Sequence, residues 1–121
     1  MTPGRLIAVV GPSGVGKDSV MRGVAEVMPN MHLVRRVITR ASDLGGEEYD
    51  AVSDAEFTGM AENGAFAIQW RAHGLCYGIP QTVMHQLNTG TDCLANFSRK
   101  ALQAGADMFP NYTVLNITAK P

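Results

Sequence analysis

Residues 11–18 read Gly-Pro-Ser-Gly-Val-Gly-Lys-Asp, directly after the apolar run Leu6-Ile7-Ala8-Val9-Val10. The spacing is Gly11, four residues, Gly16, Lys17, set where a strand pattern gives way to a helix pattern. That is the layout of a phosphate-cradling loop. Glycines let the backbone curl until several N–H groups aim at one anion. The helix that follows adds its own unpaired N–H groups and the positive end of its dipole. Lys17 contributes a mobile cation for the outer phosphates of ATP. The expected nucleotide-binding set is Gly11, Pro12, Ser13, Gly14, Val15, Gly16, Lys17, Asp18 and Ser19.

One position departs from the usual loop. The residue after the lysine is ordinarily Ser or Thr, whose hydroxyl ligates magnesium. Here it is Asp18, with Ser19 behind it. A carboxylate is also a hard oxygen ligand and suits magnesium. Asp18 serves equally well as a favourable acidic residue in a first helical turn. The expectation is ATP with Mg2+, and Asp18 and Ser19 as the candidate metal ligands.

Bulk properties narrow the class. With 121 residues the chain has enough length for one domain with a real core, residues 1–121. A formal charge of −1 argues against binding nucleic acid by bulk positive charge. Cys76 and Cys93 are too few and too scattered for a disulfide scaffold or a zinc site. No apolar stretch is long enough to span a bilayer. The strand and loop begin almost at once, leaving no room for a basic-then-apolar leader. These readings point to a cytoplasmic protein with small-molecule partners, without nucleic acid or membrane, and leave its oligomeric state open.

The rest of the chain alternates strand and helix signals. Leu6–Val10 reads as a buried parallel strand. The helix from Lys17 carries Val20, Val24 and Val27 on its apolar face and ends near Pro29. Leu33–Thr39 is strand-like and ends in Arg40, followed by the polar loop Ala41–Asp50 with Gly45-Gly46. Ser53-Asp54-Ala55-Glu56 is a capping box, opening a helix with Phe57, Met60 and Ala61 inward. Phe66–Ala72 and Leu75–Tyr77 read as an antiparallel hairpin about the turn His73-Gly74. Pro80 suits the first turn of a helix bearing Val83, Met84 and Leu87. Asp92–Phe97 is another apolar run, Ser98 caps a short helix through Ala104, and Tyr112–Thr118 is a last strand. The order implies an α/β fold of three layers, with a central parallel sheet, helices on both faces and a small antiparallel substrate-side hairpin.

Three segments beyond the loop carry groups suited to phosphate: Arg35-Arg36-Val37-Ile38-Thr39-Arg40, Glu48-Tyr49, and Arg71-Ala72-His73-Gly74-Leu75-Cys76-Tyr77-Gly78. In that order they resemble the guanylate kinase superfamily of P-loop kinases, which has a Thr-Thr-Arg element, then a Tyr, then a hairpin ending Tyr-Gly. The resemblance covers nearly the whole chain. It implies that Arg40, Tyr49 and Tyr77 bind the phosphate of the acceptor substrate. The chemistry agrees, because Arg forks around a phosphate and a Tyr hydroxyl donates to it.

The departures are as informative. Guanylate kinases carry a Glu in the first hairpin strand to read guanine, whereas Ala67-Ile68-Gln69-Trp70 has no carboxylate. The loop before Tyr49 is short and lacks a second clamp Arg. Where a nucleotide kinase shows acidic residues, this chain has Asn96-Phe97-Ser98-Arg99. With Gly16-Lys17-Asp18-Ser19, these features resemble one branch of the superfamily, the ribose 1,5-bisphosphate phosphokinases of phosphonate breakdown. That branch moves the ATP γ-phosphoryl group onto a phosphosugar, making phosphoribosyl diphosphate. The resemblance implies a phosphosugar substrate, with Lys17, Arg40 and Arg99 as the catalytic cations.

A sugar bisphosphate offers no base to read and two phosphates to neutralise. Arg71 and His73 are therefore candidate contacts to the second phosphate. Asn96, Ser98 and Arg99 lie just past a strand's carboxyl end, where open α/β sheets place ligands. The superfamily continues beyond the counterpart of Tyr112–Thr118 into an Arg-bearing lid and a segment that packs on adenine. The expected fold is thus incomplete at its C-terminus, with efficient catalysis expected only from a longer chain. Three alternatives stay open: a guanylate-type nucleoside monophosphate kinase, a non-catalytic guanylate-kinase-like binding module, and a gluconate- or shikimate-type kinase.

Overall fold

The computed structural model describes residues 3–12, 16–41 and 49–118. The expectations for Ser13, Gly14, Val15, Gly45, Gly46 and Glu48 lie outside the described residues. The elements in chain order are β1 (Leu6–Val10), α1 (Lys17–Val27), β2 (His32–Leu33), β3 (Arg36–Ile38), β4 (Tyr49–Ala51), α2 (Asp54–Glu62), β5 (Phe66–Ala72), β6 (Leu75–Pro80), α3 (Thr82–Asn88), β7 (Cys93–Asn96), a 3-10 turn (Arg99–Ala101) running into α4 (Leu102–Met108), and β8 (Tyr112–Asn116).

Four strands form a parallel sheet in the order β2-β7-β1-β8. Apolar side chains leave β1 toward both faces, as a doubly covered strand requires. Leu6, Ala8 and Val10 pack with Cys93, Ala95, Val83, Leu87 and Phe109 on the side of α3 and α4. Val9 packs with Leu94, Met21 of α1 and Met31 on the other side. Burying each large side chain of this kind contributes about 1.5–3 kcal/mol. The three-layer α/β expectation is met.

Several boundaries differ from the sequence reading. The inward face of α1 is Met21 and Val24, while Val20 and Val27 are 41% and 78% exposed. The helix turns its Met21–Val24 stripe to the sheet, so the Val20–Val27 stripe faces out. Leu33–Thr39 is two strands, because the chain leaves the first sheet after Leu33 and enters a second one at Arg36. The end of the expected polar loop is β4, which pairs parallel with β3. The hairpin is longer than Tyr77, running to Pro80, and it does not stand alone. With β3 and β4 it forms a four-stranded sheet in the order β4-β3-β6-β5.

Local signals hold elsewhere. Ser53 accepts from the Glu56 N–H at 3.1 Å and Glu56 accepts from the Ser53 N–H at 2.8 Å, completing the capping box. His73 and Gly74 both have positive φ, 55° and 75°, the pairing that a two-residue hairpin turn demands. Strand β8 lies at the edge of the parallel sheet, with Val114 and Leu115 43% and 39% exposed.

Candidate active site

The site begins where three parallel strands end level. The Phe97 N–H donates to the Val9 carbonyl at 2.8 Å, and the Ile117 N–H donates to the Val10 carbonyl at 2.9 Å. This aligns the carboxyl ends of β1, β7 and β8. Gly11 leaves β1 at that rim in a crowded passage, because a Cβ there would stand 2.4 Å from the Ile117 carbonyl oxygen. Only glycine passes so close. Gly16 meets a different demand: it has φ 80°, ψ 23° and starts α1 with no side-chain cap. A left-handed residue leaves the first helical N–H groups pointing back toward the loop.

Lys17 opens α1, half-buried, and its Nζ donates to the Gly11 carbonyl at 3.1 Å. The lysine side chain thus reaches back to the end of β1. Pro12 is exposed at the loop's start. Asp18 is half-buried in the first turn of α1, and Ser19 beside it is exposed. Among the described residues no group of three or more His, Cys, Asp or Glu is assembled to hold a metal. Asp18 still fits magnesium, which takes one or two protein oxygens and completes its shell with phosphates and water.

Strand β7 ends in Asn96, which is buried. The next residues reach outward to both neighbours. Ser98 Oγ accepts a hydrogen bond from Trp70 Nε1 at 2.9 Å, tying the rim to strand β5 of the second sheet. Ser98 makes no capping bond, so its expected role as a helix cap is replaced by this one. Arg99 is exposed and donates to Asn116 Oδ1 at the end of β8, 2.9 Å away.

The second sheet turns one face to this rim. Register fixes its members, since residues paired across strands share a face. Arg36 pairs with Tyr49, Ile38 with Tyr77, and Tyr77 with Trp70. Arg36, Tyr49, Tyr77 and Trp70 therefore lie on one face, and alternation along the chain brings Arg40 toward the same side. The rings of Trp70 and Tyr77 stack at 5.5 Å with 7° between planes, and Trp70 meets Phe97 at 5.5 Å. Arg36 lies over the other side of Tyr77, 4.9 Å from the ring centre. Arg40 lies 4.6 Å over the Tyr49 ring, and its Nε donates to the Tyr49 hydroxyl at 3.2 Å. That hydroxyl donates in turn to the Ala41 carbonyl. Thr39 and Cys76 exchange hydrogen bonds at 3.1 and 2.9 Å, which fixes the backbone just before Arg40.

The structure thus sets Lys17 at the start of α1, Asn96, Ser98 and Arg99 at the rim, and Arg40, Tyr49 and Tyr77 on one face of the second sheet, which meets the rim through Trp70. It does not bring Arg71 and His73 with them. Arg71 pairs with Cys76, a register that points both away from the Trp70–Tyr77 face, and its guanidinium lies 3.4 Å from the Cys76 sulfur. His73 is exposed at the tip of the hairpin. Sequence reading passed over two members of the facing sheet. Arg36 was visible as the residue four before Arg40, on the same side of an extended strand. Trp70 was visible as an indole whose N–H needs a partner when buried.

No family model matches the chain. The chain is 48% identical over 118 residues to "Ribose 1,5-bisphosphate phosphokinase PhnN" of Ruegeria sp., covering 98% of the chain and 62% of that protein. It is 48% identical over 119 residues to the protein of the same name from Agrobacterium fabrum, covering 96% of the chain and 65% of that protein. A "Bifunctional ribose 1,5-bisphosphokinase-thymidine phosphorylase" of Cupriavidus pinatubonensis is 43% identical over 118 residues, 20% of its length. The chain therefore spans less than two thirds of the curated relatives it matches. Among solved structures it resembles guanylate kinase from Anaplasma phagocytophilum, with TM-score 0.78 and 20% identity over 98% of the chain and 61% of that structure. That likeness shows that the chain has the fold of that structure over nearly all its length.

Proposed function

We propose, from the chain's homology to the ribose 1,5-bisphosphate phosphokinases over nearly all its length, that it is the phosphate-binding part of an enzyme of that activity. The enzyme transfers the γ-phosphoryl group of ATP to the 1-phosphate of ribose 1,5-bisphosphate, giving 5-phosphoribosyl 1-diphosphate and ADP. Residues 1–121 act as one P-loop kinase unit, in the cytoplasm, on small soluble substrates. Among the described residues no helix is long and apolar enough to cross a membrane.

The observation that carries the reading is the composition of the face opposite the loop. It holds Arg36, Arg40, Tyr49 and Tyr77 around Trp70, with no carboxylate among its described strand residues to read a base. Gln69, the uncharged polar residue of β5, pairs with Gly78 and points the other way. A face of cations and phenols suits phosphate; it has no carboxylate to accept from the N1–H and amino group of guanine.

In the reaction the bond from the γ-phosphorus to the bridging oxygen breaks while one forms to an oxygen of the acceptor phosphate. ADP leaves with the electron pair. The acceptor oxygen is already ionised at neutral pH, so no general base is needed. The difficulty is repulsion between two anions, and catalysis is alignment and charge stabilisation. Lys17 and the loop N–H groups hold the donor phosphates. Arg40, propped by the Tyr49 ring, and Tyr77 hold the acceptor, with Asn96 and Ser98 at the rim between them. Arg99 stabilises charge on the transferring group. Magnesium, when bound with ATP, supplies further neutralisation across the phosphates, with Asp18 and Ser19 as the oxygen donors we assign to it.

The test is a substrate panel on a version as long as its relatives. Ribose 1,5-bisphosphate, GMP and AMP are each offered with ATP–Mg, and ADP release is followed. Turnover with the phosphosugar alone is expected. Turnover of GMP without the phosphosugar overturns the reading in favour of a guanylate-type kinase.

A further inference from the structure

Arg36 is an unusual residue to find where it lies. It is 5% exposed on strand β3, between β4 and β6 in the second sheet. Its guanidinium sits over Tyr77 at 4.9 Å, and Trp70 covers the ring's other side. Stacking engages the flat face of a guanidinium and leaves its five N–H donors in the plane around the edge. Those donors have capacity for protein partners and for a ligand together. Register sets Arg36 beside Tyr49 and on the side of Tyr77. The Tyr77 hydroxyl makes no hydrogen bond to any described residue, so a phenolic donor stands open on the ring that Arg36 covers.

We propose that Arg36 is a phosphate-binding residue for the acceptor, a second guanidinium that with Arg40 makes the facing sheet doubly cationic. This rests on the functional reading above, and it names the residue that fits the site to a substrate with two phosphates. Arg36 takes the place expected of Arg71, which the register turns away. The arrangement is rigid: the Trp70–Tyr77 stack fixes the height of the guanidinium, and the Trp70–Ser98 hydrogen bond fixes the stack against the rim that holds the donor. Arg40 lies over Tyr49 in the same manner, so two arginines on two phenol rings frame one surface.

The test is steady-state kinetics of Arg36→Lys and Arg36→Met in a chain of full family length, with thermal midpoints alongside. Lys keeps the charge but loses the fork and the flat stack. For Arg36→Lys the KM for ribose 1,5-bisphosphate should rise about tenfold or more, while the KM for ATP stays within about twofold. Arg36→Met should raise the acceptor KM further, and where it fails to fold, Arg36→Lys decides alone. If the wild type uses GMP and not the phosphosugar, the functional reading fails, and the same selective rise in the GMP KM keeps Arg36 as an acceptor-phosphate contact. An acceptor KM unchanged in a folded Arg36→Lys protein overturns the proposal. So does a Lys variant that loses stability and ATP affinity together, which makes Arg36 a core residue only.

Discussion

The indole N–H of Trp70 donates to the hydroxyl oxygen of Ser98 at 2.9 Å, across 28 positions of sequence and between the two sheets. Trp70 belongs to the sheet that carries Arg36, Arg40 and the two tyrosines, and Ser98 belongs to the strand-end rim beside the phosphate loop. The bond holds that face of the second sheet against the rim where the parallel strands end.

Trp70→Phe keeps a ring in the stack between Tyr77 and Phe97 but removes the donor and part of the buried ring surface. The two losses together should cost about 1–3 kcal/mol of stability. In a full-length enzyme the acceptor KM should rise and the ATP KM should hold. Equal changes in both would deny Trp70 a part in positioning the acceptor.

Lys17 donates to the Gly11 carbonyl and is half-buried rather than packed in the core. Lys17→Ala should therefore leave the fold intact by circular dichroism. Phosphoryl transfer should fall by about 10²–10³ or more, as when one charge-stabilising donor is removed from an active site. Wild-type turnover by the variant would remove Lys17 from the mechanism.

The loop glycines should fail unequally. At Gly11 an added Cβ meets the Ile117 carbonyl at 2.4 Å, so Gly11→Ala forces β1 and the segment after β8 apart. A loss of about 1–3 kcal/mol is expected. At Gly16 a Cβ meets nothing within 4 Å, and the penalty is the left-handed backbone alone, about 1 kcal/mol. Thermal melts of the two variants should rank Gly11→Ala as the more damaging.

Stability should fall at both ends of the pH scale. Burial lowers the His32 pKa, so the folded chain keeps this imidazole neutral where the unfolded chain protonates it. Its contribution is complete above the ordinary histidine value and is lost as pH falls below it. Cys93 is wholly buried at the start of β7, and burial with the nearby Asp92 charge pushes its thiol up to about 11. As pH rises from the ordinary thiol range toward 11, the unfolded chain releases a proton that the folded chain keeps, so stability falls there too. Denaturant melts across pH check both signs. Alkylation at mildly alkaline pH should label Cys76 before Cys93, because Cys76 is partly accessible.

The strand-to-helix passage from β1 to α1, the capping box of α2 and the His73-Gly74 turn were legible in the sequence because each is a short-range pattern with its own backbone chemistry. The parallel sheet followed from the alternation of strands and helices. The second sheet was not legible, because β3 and β4 have three residues each and join through partners remote in sequence. Without that sheet, the side on which Arg71 and Arg36 point was undetermined. The face of α1 was misread for a related reason. Val20, Val24 and Val27 form one valid apolar stripe, Met21 and Val24 another, and only packing on β1 and β7 selects between them.

Phosphorus-31 NMR of a full-length protein incubated with ATP–Mg and ribose 1,5-bisphosphate tests the account most directly. We expect the sugar 1-phosphate resonance to be replaced by the coupled doublets of a diphosphate, in step with ADP, and neither to appear with Lys17→Ala. An unchanged sugar spectrum beside conversion of GMP to GDP would contradict it.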